Sequence, residues 1–149
     1  MIILFRGSDP LDEAIEGITW SPYSHAAFYN PATKNSIEAI ALGVVEAIPY
    51  DQHHHGVPVD FFEVIGATPE QEAAAEQFCR DQLGKGYDWI GDMHFITHRP
   101  ENPAGQQRWF CSELVFAAYA STGILLLRGV PVWKVSPGLL SVSPMLAKK

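Results

Sequence analysis

The feature that most constrains the fold is a run of consecutive strand signals in the first half of the chain. These stretches are rich in β-branched and aromatic residues and are separated by turn-forming residues; they cover residues 1–6, 24–29, 36–42 and 59–65. The segment Asn30–Asn35 contains Pro31 and joins the second and third stretches into a hairpin. Strands that follow one another directly favour antiparallel pairing, so the sequence predicts an α+β fold with helices packed on an antiparallel sheet.

Two helices are predicted after these strands. Thr68-Pro69-Glu70-Gln71 is a capping-box start, and the helix should run to about Leu83, with Gly84 as its stop. Apolar residues at helical spacing predict a second helix over 112–122. Weaker patterns predict short helices at residues 11–18 and 89–95, a continuation or bend of the third strand at 43–48, and a strand at 131–135. The 149 residues contain no repeat or linker-like stretch, so we expect a single domain over residues 1–149.

Composition excludes several classes of function. The net charge is −7, and basic residues cluster only at Lys148-Lys149, so nucleic acids and anionic membrane surfaces are poor partners. No apolar run is long enough to span a bilayer. The first residues lack the positive region of a signal peptide, and two cysteines do not make a disulfide framework. We therefore expect a cytoplasmic protein, while the oligomeric state is left open.

Cys111 is the strongest candidate for a reactive group. It lies where the aromatic pair Trp109-Phe110 meets the start of the second predicted helix. Unpaired N–H groups and the helix dipole favour a thiolate there, and the same N–H groups can bind an oxyanion. The alternative is a small buried core residue, which is the interpretation we give to Cys79 on the apolar stripe of the first helix.

A nucleophilic cysteine needs an imidazole base and a group that orients it. If the hairpin turn is centred between residues 32 and 33, Ala27 faces Glu38, and His25 becomes the diagonal neighbour of Glu38 on the same face. The apolar surroundings of Glu38 also demand a partner for its carboxylate. The alternatives are a buried strand histidine without a catalytic role and a solvent-facing glutamate.

The remaining histidines are candidate metal ligands. His53, His54 and His55 lie in a predicted loop, where a solvated run is the ordinary interpretation and a metal site the alternative. His94 and His98 are expected at the surface or behind the site. No zinc-type ligand spacing is present, so we expect no metal or other cofactor.

Four motifs resemble the circularly permuted NlpC-type, papain-like amidases of the YiiX/YaeF-like group. In chain order they are Ser24-His25-Ala26, Ile37-Glu38-Ala39, Gly84-Lys85-Gly86-Tyr87-Asp88 and Phe110-Cys111-Ser112-Glu113-Leu114-Val115. The resemblance extends from Arg6 to Pro137, and the histidine precedes the cysteine, as in the permuted order. It implies a papain-like core in which a partly barrel-like antiparallel sheet carries the histidine, and the cysteine begins a helix. Glu113 departs from the glycine that ordinary NlpC-type helices have at this place.

The resemblance implies that Cys111 is the nucleophile, His25 the base and Glu38 the residue that orients it. Tyr87 matches a tyrosine that lines the site. Trp20, Tyr23 and Ser112 are further candidates for substrate or oxyanion binding, since aromatic residues flank the motifs. The expected function is a thiol hydrolase that cleaves amide bonds of peptide or acyl-amide substrates through an acyl-enzyme. The alternatives are a non-catalytic binding module and an acyltransferase or lipid acyl hydrolase that uses the same residues.

Overall fold

The structure is a computed structural model that describes residues 1–7, 21–88 and 107–149. Its strands are β1 (Ile2–Arg6), β2 (Tyr23–Asn30), β3 (Asn35–Ile40), β4 (Gly43–Ala47), β5 (Val59–Val64), β6 (Gly86–Tyr87), β7 (Arg108–Trp109) and β8 (Leu146–Lys148). Its α-helices are α1 (Pro69–Arg80), α2 (Cys111–Ser121) and α3 (Pro137–Ser141). The helices expected at 11–18 and 89–95, and the residues Trp20, Trp89, His94 and His98, lie outside the described residues.

Six strands form one sheet in the order β4-β3-β2-β1-β5-β8. Every neighbouring pair in this sheet is antiparallel. The short strands β6 and β7 form a separate parallel pair. The expectation of an α+β fold with an antiparallel sheet is therefore confirmed.

The β2–β3 hairpin has the register expected from its turn. Ala27 lies opposite Glu38, and Asn30 lies opposite Asn35 at the turn end. After β3 the chain reverses and forms β4, a separate strand that pairs with β3, rather than continuing or bending the same strand. Gly43, the first residue of β4, has a φ of +106°. A Cβ there would lie 2.5 Å from the Lys85 carbonyl oxygen, so the reversal requires glycine.

Alternation along the strands builds two cores, one on each face of the sheet. Ile2, Leu4, Ala26 and Phe28 belong to the larger core, which also contains residues of the helices. The intervening residues form a smaller core that the loop after β4 covers with Tyr50 and Val57. Its buried members are Ile3, Phe5, Ala27 and Tyr29. Each face of the central strands is therefore packed.

A β-bulge interrupts the alternation next to His25. Phe5 pairs with His25 and Arg6 pairs with Tyr23, so Ser24 is the extra residue. Tyr23 consequently belongs to the same core as Ala26, although an odd number of positions separates them. Bulges re-aim side chains and are frequent beside active sites.

Helix α1 begins with the predicted capping box. The Thr68 hydroxyl oxygen accepts a hydrogen bond from the Gln71 backbone N–H (3.3 Å), and the Gln71 side-chain oxygen accepts one from the Thr68 N–H (3.0 Å). The helix ends at Arg80, three residues before the expected position. Its last turn tightens there, since the Leu83 N–H donates to the Arg80 carbonyl oxygen, a turn-type bond three residues apart.

Helix α2 is buried along nearly its whole length. All residues from Cys111 to Phe116 are buried, and the helix packs against α1, β2 and β3. Its surroundings are therefore apolar on several sides, which suits its apolar composition. None of the described helices is long and apolar enough to cross a membrane.

The end of the chain corrects one expectation. The strand predicted at 131–135 is wrong, because Val132–Lys134 form a 3₁₀ helix. Helix α3 follows, and the Ser136 hydroxyl oxygen caps it by accepting from the Leu139 N–H at 3.0 Å. Prolines at 131 and 137 supply no N–H for a strand ladder. The edge strand β8, which pairs with β5, was not predicted; three residues are too few for a visible alternation.

Candidate active site

The centre of the site is a hydrogen bond between two neighbouring strands. His25 Nε2 on β2 donates to Glu38 Oε2 on β3 across 2.7 Å. The Glu38 side chain is 0% exposed and the His25 side chain is 12% exposed. The hairpin register thus brings these two residues together as the sequence predicted, since diagonal neighbours on one face lie within side-chain reach.

A second imidazole reaches the same carboxylate. His54 Nε2 donates to Glu38 Oε2 across 2.9 Å, and the His54 side chain is 21% exposed. Sequence reasoning did not find this contact, although the run of three histidines was its signal. His53 and His55 are exposed, so one member of the run turns toward the sheet.

Local turns hold His54 in this position. Its backbone N–H donates to the Asp51 carbonyl oxygen (3.0 Å), and its carbonyl oxygen accepts from the Val57 N–H (3.1 Å). The loop is attached to the hairpin turn, because the Tyr50 N–H donates to the Lys34 carbonyl oxygen. These bonds limit the movement of the loop, and the side chain of His54 is presented to β3.

Phe5 supports both imidazoles from β1. Its ring centroid lies 5.3 Å from that of His25 and 4.4 Å from that of His54. The two imidazole centroids lie 4.7 Å apart. Contacts of this kind restrict ring orientation, so the Nε2 atoms stay directed at Glu38.

Two opposing effects act on the Glu38 carboxyl. Burial disfavours its charged form, but the hydrogen bonds from His25 and His54 outweigh burial and lower the pKa of Glu38 to about 2. Both hydrogen bonds use Oε2. The other oxygen, Oε1, is buried and has no hydrogen-bond partner among the described residues.

Cys111 is the first residue of α2 and is 1% exposed. The Glu113 carboxylate accepts a hydrogen bond from the Phe110 backbone N–H at 3.2 Å, which supports the start of the helix. The first N–H groups of a helix have no acceptor within it. The helix packs against β2, the strand that carries His25.

Tyr87 lies close to this helix start. It pairs with Trp109 across the β6–β7 ladder, and Trp109 lies two residues before Cys111 in the chain. Its ring centroid lies 6.1 Å from that of Phe110. The indole N–H of Trp109 donates to the Gln82 side-chain oxygen at 3.2 Å, so this indole belongs to the packing between α1 and β7.

The other candidate residues have structural contacts. The Tyr23 hydroxyl donates to Asp60 Oδ2 (2.5 Å), and the Arg6 guanidinium lies 5.3 Å from the centre of the Tyr23 ring. The Ser112 hydroxyl donates to the Val135 carbonyl oxygen (2.5 Å) and fastens α2 to the 3₁₀ helix. Cys79 is fully buried, as its core assignment predicted.

The site also contains a possible set of metal ligands. His25, Glu38 and His54 each offer one donor atom, and these atoms lie within 4.8 Å of one another. Two imidazole nitrogens and a carboxylate oxygen are ligands that zinc accepts in proteins.

Comparisons with known proteins support the fold. No family model matches the chain, and no curated protein matches it. Among solved structures, the chain is similar to the crystal structure of the metalloprotein YiiX from Escherichia coli O157:H7. The identity is 21%, the match covers 99% of this chain and 93% of that chain, and the TM-score is 0.75. At this identity the likeness shows that the chain has a YiiX-like α+β fold.

Proposed function

We propose that the protein is a papain-like thiol hydrolase in which Cys111 is the nucleophile, His25 the general base and Glu38 the residue that orients the base. The observation that carries the proposal is the 2.7 Å hydrogen bond between His25 Nε2 and the buried Glu38 carboxylate. A nucleophile, a base and a group that orients the base form the set on which thiol catalysis depends. The order of the four sequence motifs, which resembles that of permuted NlpC-type enzymes, supports the same assignment.

The hydrogen bond determines which imidazole atom exchanges the proton. Because Nε2 donates to Glu38, Nδ1 is the nitrogen that accepts the proton from the Cys111 thiol. The carboxylate stabilises the imidazolium that results, since the two charges are opposite and lie in a largely buried site. The β-bulge at Ser24 lies immediately before His25 and adjusts the direction of its side chain.

The reaction then has two stages. The Cys111 thiolate attacks the carbonyl carbon of the substrate, and N–H groups at the start of α2 stabilise the oxyanion, with the Tyr87 hydroxyl as a further donor. The imidazolium gives its Nδ1 proton to the leaving amine, and an acyl-enzyme remains. Water, deprotonated by His25, attacks the acyl-enzyme; the acid is released and the thiol regains its proton.

The proposed substrates are compounds with an amide bond, either peptides or N-acyl amines. Trp20 is proposed to contact the substrate, whereas Tyr23 is buried in the larger core with its hydroxyl bonded to Asp60 and is not proposed as a substrate contact. Ser112 is proposed to hold the start of α2 in position through its hydrogen bond to the Val135 carbonyl oxygen. Acyl transfer, or cleavage of an acyl ester, would use the same thiolate and the same acyl-enzyme. The accepting molecule, water or an amine or alcohol, distinguishes these reactions.

The test is turnover of a panel of peptide amides, N-acyl amino acids and short acyl esters, followed by mass spectrometry. We expect Cys111→Ala and His25→Ala to abolish turnover, while the matched variant Cys79→Ala keeps it. When the reaction is stopped by denaturation during turnover, Cys111 should carry the acyl group of the substrate. Full activity of folded Cys111→Ala would refute the proposal, and a protein inert toward the panel with equally slow thiols would indicate a binding module.

A further inference from the structure

We propose that His25, Glu38 and His54 form a binding site for a divalent metal ion of the zinc class. The inference rests on the donor atoms of these three side chains and does not depend on the proposed hydrolase activity. The three residues come from β2, β3 and the loop after β4, so only the folded chain assembles them. The resulting set, two imidazoles and one carboxylate, is known from three-ligand zinc sites that keep a further position open.

The spacing of the donor atoms is close to what a metal requires. Ligand atoms at about 2.0 Å from a tetrahedral zinc lie about 3.3 Å from one another. The two Nε2 atoms lie 2.7 Å and 2.9 Å from Glu38 Oε2. A metal that replaces the two shared protons therefore needs each Nε2 to move away from Oε2 by about 0.5 Å. The three donor atoms, which lie within 4.8 Å of one another, would adjust to this common spacing by rotation of the side chains.

The carboxylate has unused coordinating capacity. Glu38 Oε1 is buried and lacks a hydrogen-bond partner among the described residues. A buried polar oxygen without a partner costs free energy. Coordination of a dication through Oε1, alone or together with Oε2, would satisfy this atom. Two neutral imidazoles leave the cluster with one negative charge, which a dication would more than balance.

The ligands are also held in place. Phe5 contacts both rings, and backbone hydrogen bonds on each side of His54 support its turn. Little conformational freedom is then lost on binding, which favours affinity. The partial exposure of His25 and His54, 12% and 21%, leaves the cluster accessible from the side of the loop.

The experiment is titration of chelator-treated, tag-free protein with Co²⁺, followed by visible absorption, and then displacement by Zn²⁺. We expect the protein to bind one equivalent of Co²⁺. The visible absorption bands should be those of Co²⁺ with few ligands, all of them nitrogen or oxygen atoms. His54→Ala should weaken binding at least about 10-fold, since loss of even an indirect contact to a metal ligand costs this much. His54→Gln serves as the second variant, and circular dichroism verifies that both are folded.

Three controls separate this site from its alternatives. His53→Ala and His55→Ala change exposed neighbours in the same loop and should leave the Co²⁺ affinity unchanged. Cys111→Ala removes the proposed nucleophile and should also retain the affinity and the spectrum, which keeps this test independent of hydrolysis. The inference is overturned if no stoichiometric Co²⁺ binds, if His53→Ala and His55→Ala weaken binding as much as His54→Ala, or if Cys111→Ala abolishes binding.

Discussion

His54 and Glu38 share a 2.9 Å hydrogen bond although 16 positions and one strand separate them. The bond brings a loop residue to the carboxylate that already accepts from His25 on the neighbouring strand. Glu38 therefore belongs to two sets of residues, the proposed catalytic set with Cys111 and the proposed metal-binding set with His54. Its substitution should affect both.

Glu38→Gln should reduce turnover less than His25→Ala or Cys111→Ala. The amide keeps the shape of the side chain and its oxygen still accepts one hydrogen bond, but it cannot stabilise the imidazolium by charge. Replacing a residue that orients the base often lowers the catalytic rate less than replacing the nucleophile or the base does. Steady-state kinetics of the three variants on one amide substrate measure the order. A Glu38→Gln enzyme as inactive as Cys111→Ala would contradict the assigned role.

Glu38→Ala should destabilise the fold by about 3 kcal/mol, because it leaves a cavity and two imidazole N–H donors without their acceptor. Urea denaturation gives the free energy of unfolding. Glu46→Ala is a useful comparison: Glu46 also pairs with a partner, Arg80, but both side chains are partly exposed. We expect Glu46→Ala to lower the free energy of unfolding less than Glu38→Ala does. Equal decreases would show that burial of Glu38 is not the source of the effect.

The two cysteines should differ in their rate of alkylation. Burial raises the pKa of the Cys79 thiol, so Cys79 remains protonated and unreactive near neutral pH. Cys111 is also poorly exposed, but its position at a helix start favours the thiolate. Iodoacetamide labelling at about pH 6, read by peptide mass spectrometry, should modify Cys111 first. His25→Ala should slow this labelling specifically, and an unchanged rate in that variant would argue against a thiolate–imidazolium pair.

Acid should weaken the structure through Asp60. Burial opposes ionisation of this side chain, but hydrogen bonds from Tyr23, Lys148 and Arg6 outweigh it and lower its pKa to about 2. Because the folded-state pKa lies below the unfolded value of about 3.9, the stabilisation is present above pH 4 or so and is lost as the pH falls toward about 2. It amounts to at most about 3 kcal/mol.

Denaturant unfolding at several pH values tests this prediction. Asp60→Asn removes the carboxyl, so its stability should be lower near neutral pH and should fall less steeply between about pH 4 and pH 2. The wild-type and variant curves should therefore converge in acid. Parallel curves would show that other groups cause the acid effect.

Zinc should inhibit the proposed hydrolase. A metal on His25 Nε2 leaves the proton on Nδ1, and this nitrogen can then no longer accept a proton from Cys111. Inhibition should be reversed by a chelator and should require a higher zinc concentration in His54→Ala than in His53→Ala. Equal inhibition of these two variants would show that zinc acts elsewhere, for instance on the thiol alone.

Much of the fold follows from local patterns in the sequence. The hairpin turn at residues 30–35 sets the pairing of Ala27 with Glu38, and the side-chain period of two then places His25 on the same face. The capping box at Thr68 starts α1 where the pattern predicts it. These features depend on residues that are close in sequence, and such contacts leave a recognisable spacing.

The contact of His54 with Glu38, the edge strand β8 and the short helices near residue 135 are decided by tertiary packing. His54, and not His53 or His55, turns inward because the loop is attached to Lys34 and its apolar residues cover the face of the sheet that contains Phe5. Residues 146–148 form a strand because β5 offers them an open edge. Hairpin register and helix caps are determined by residues that are close in sequence. The contacts of His54 and β8 depend on surfaces that exist only after the sheet has formed.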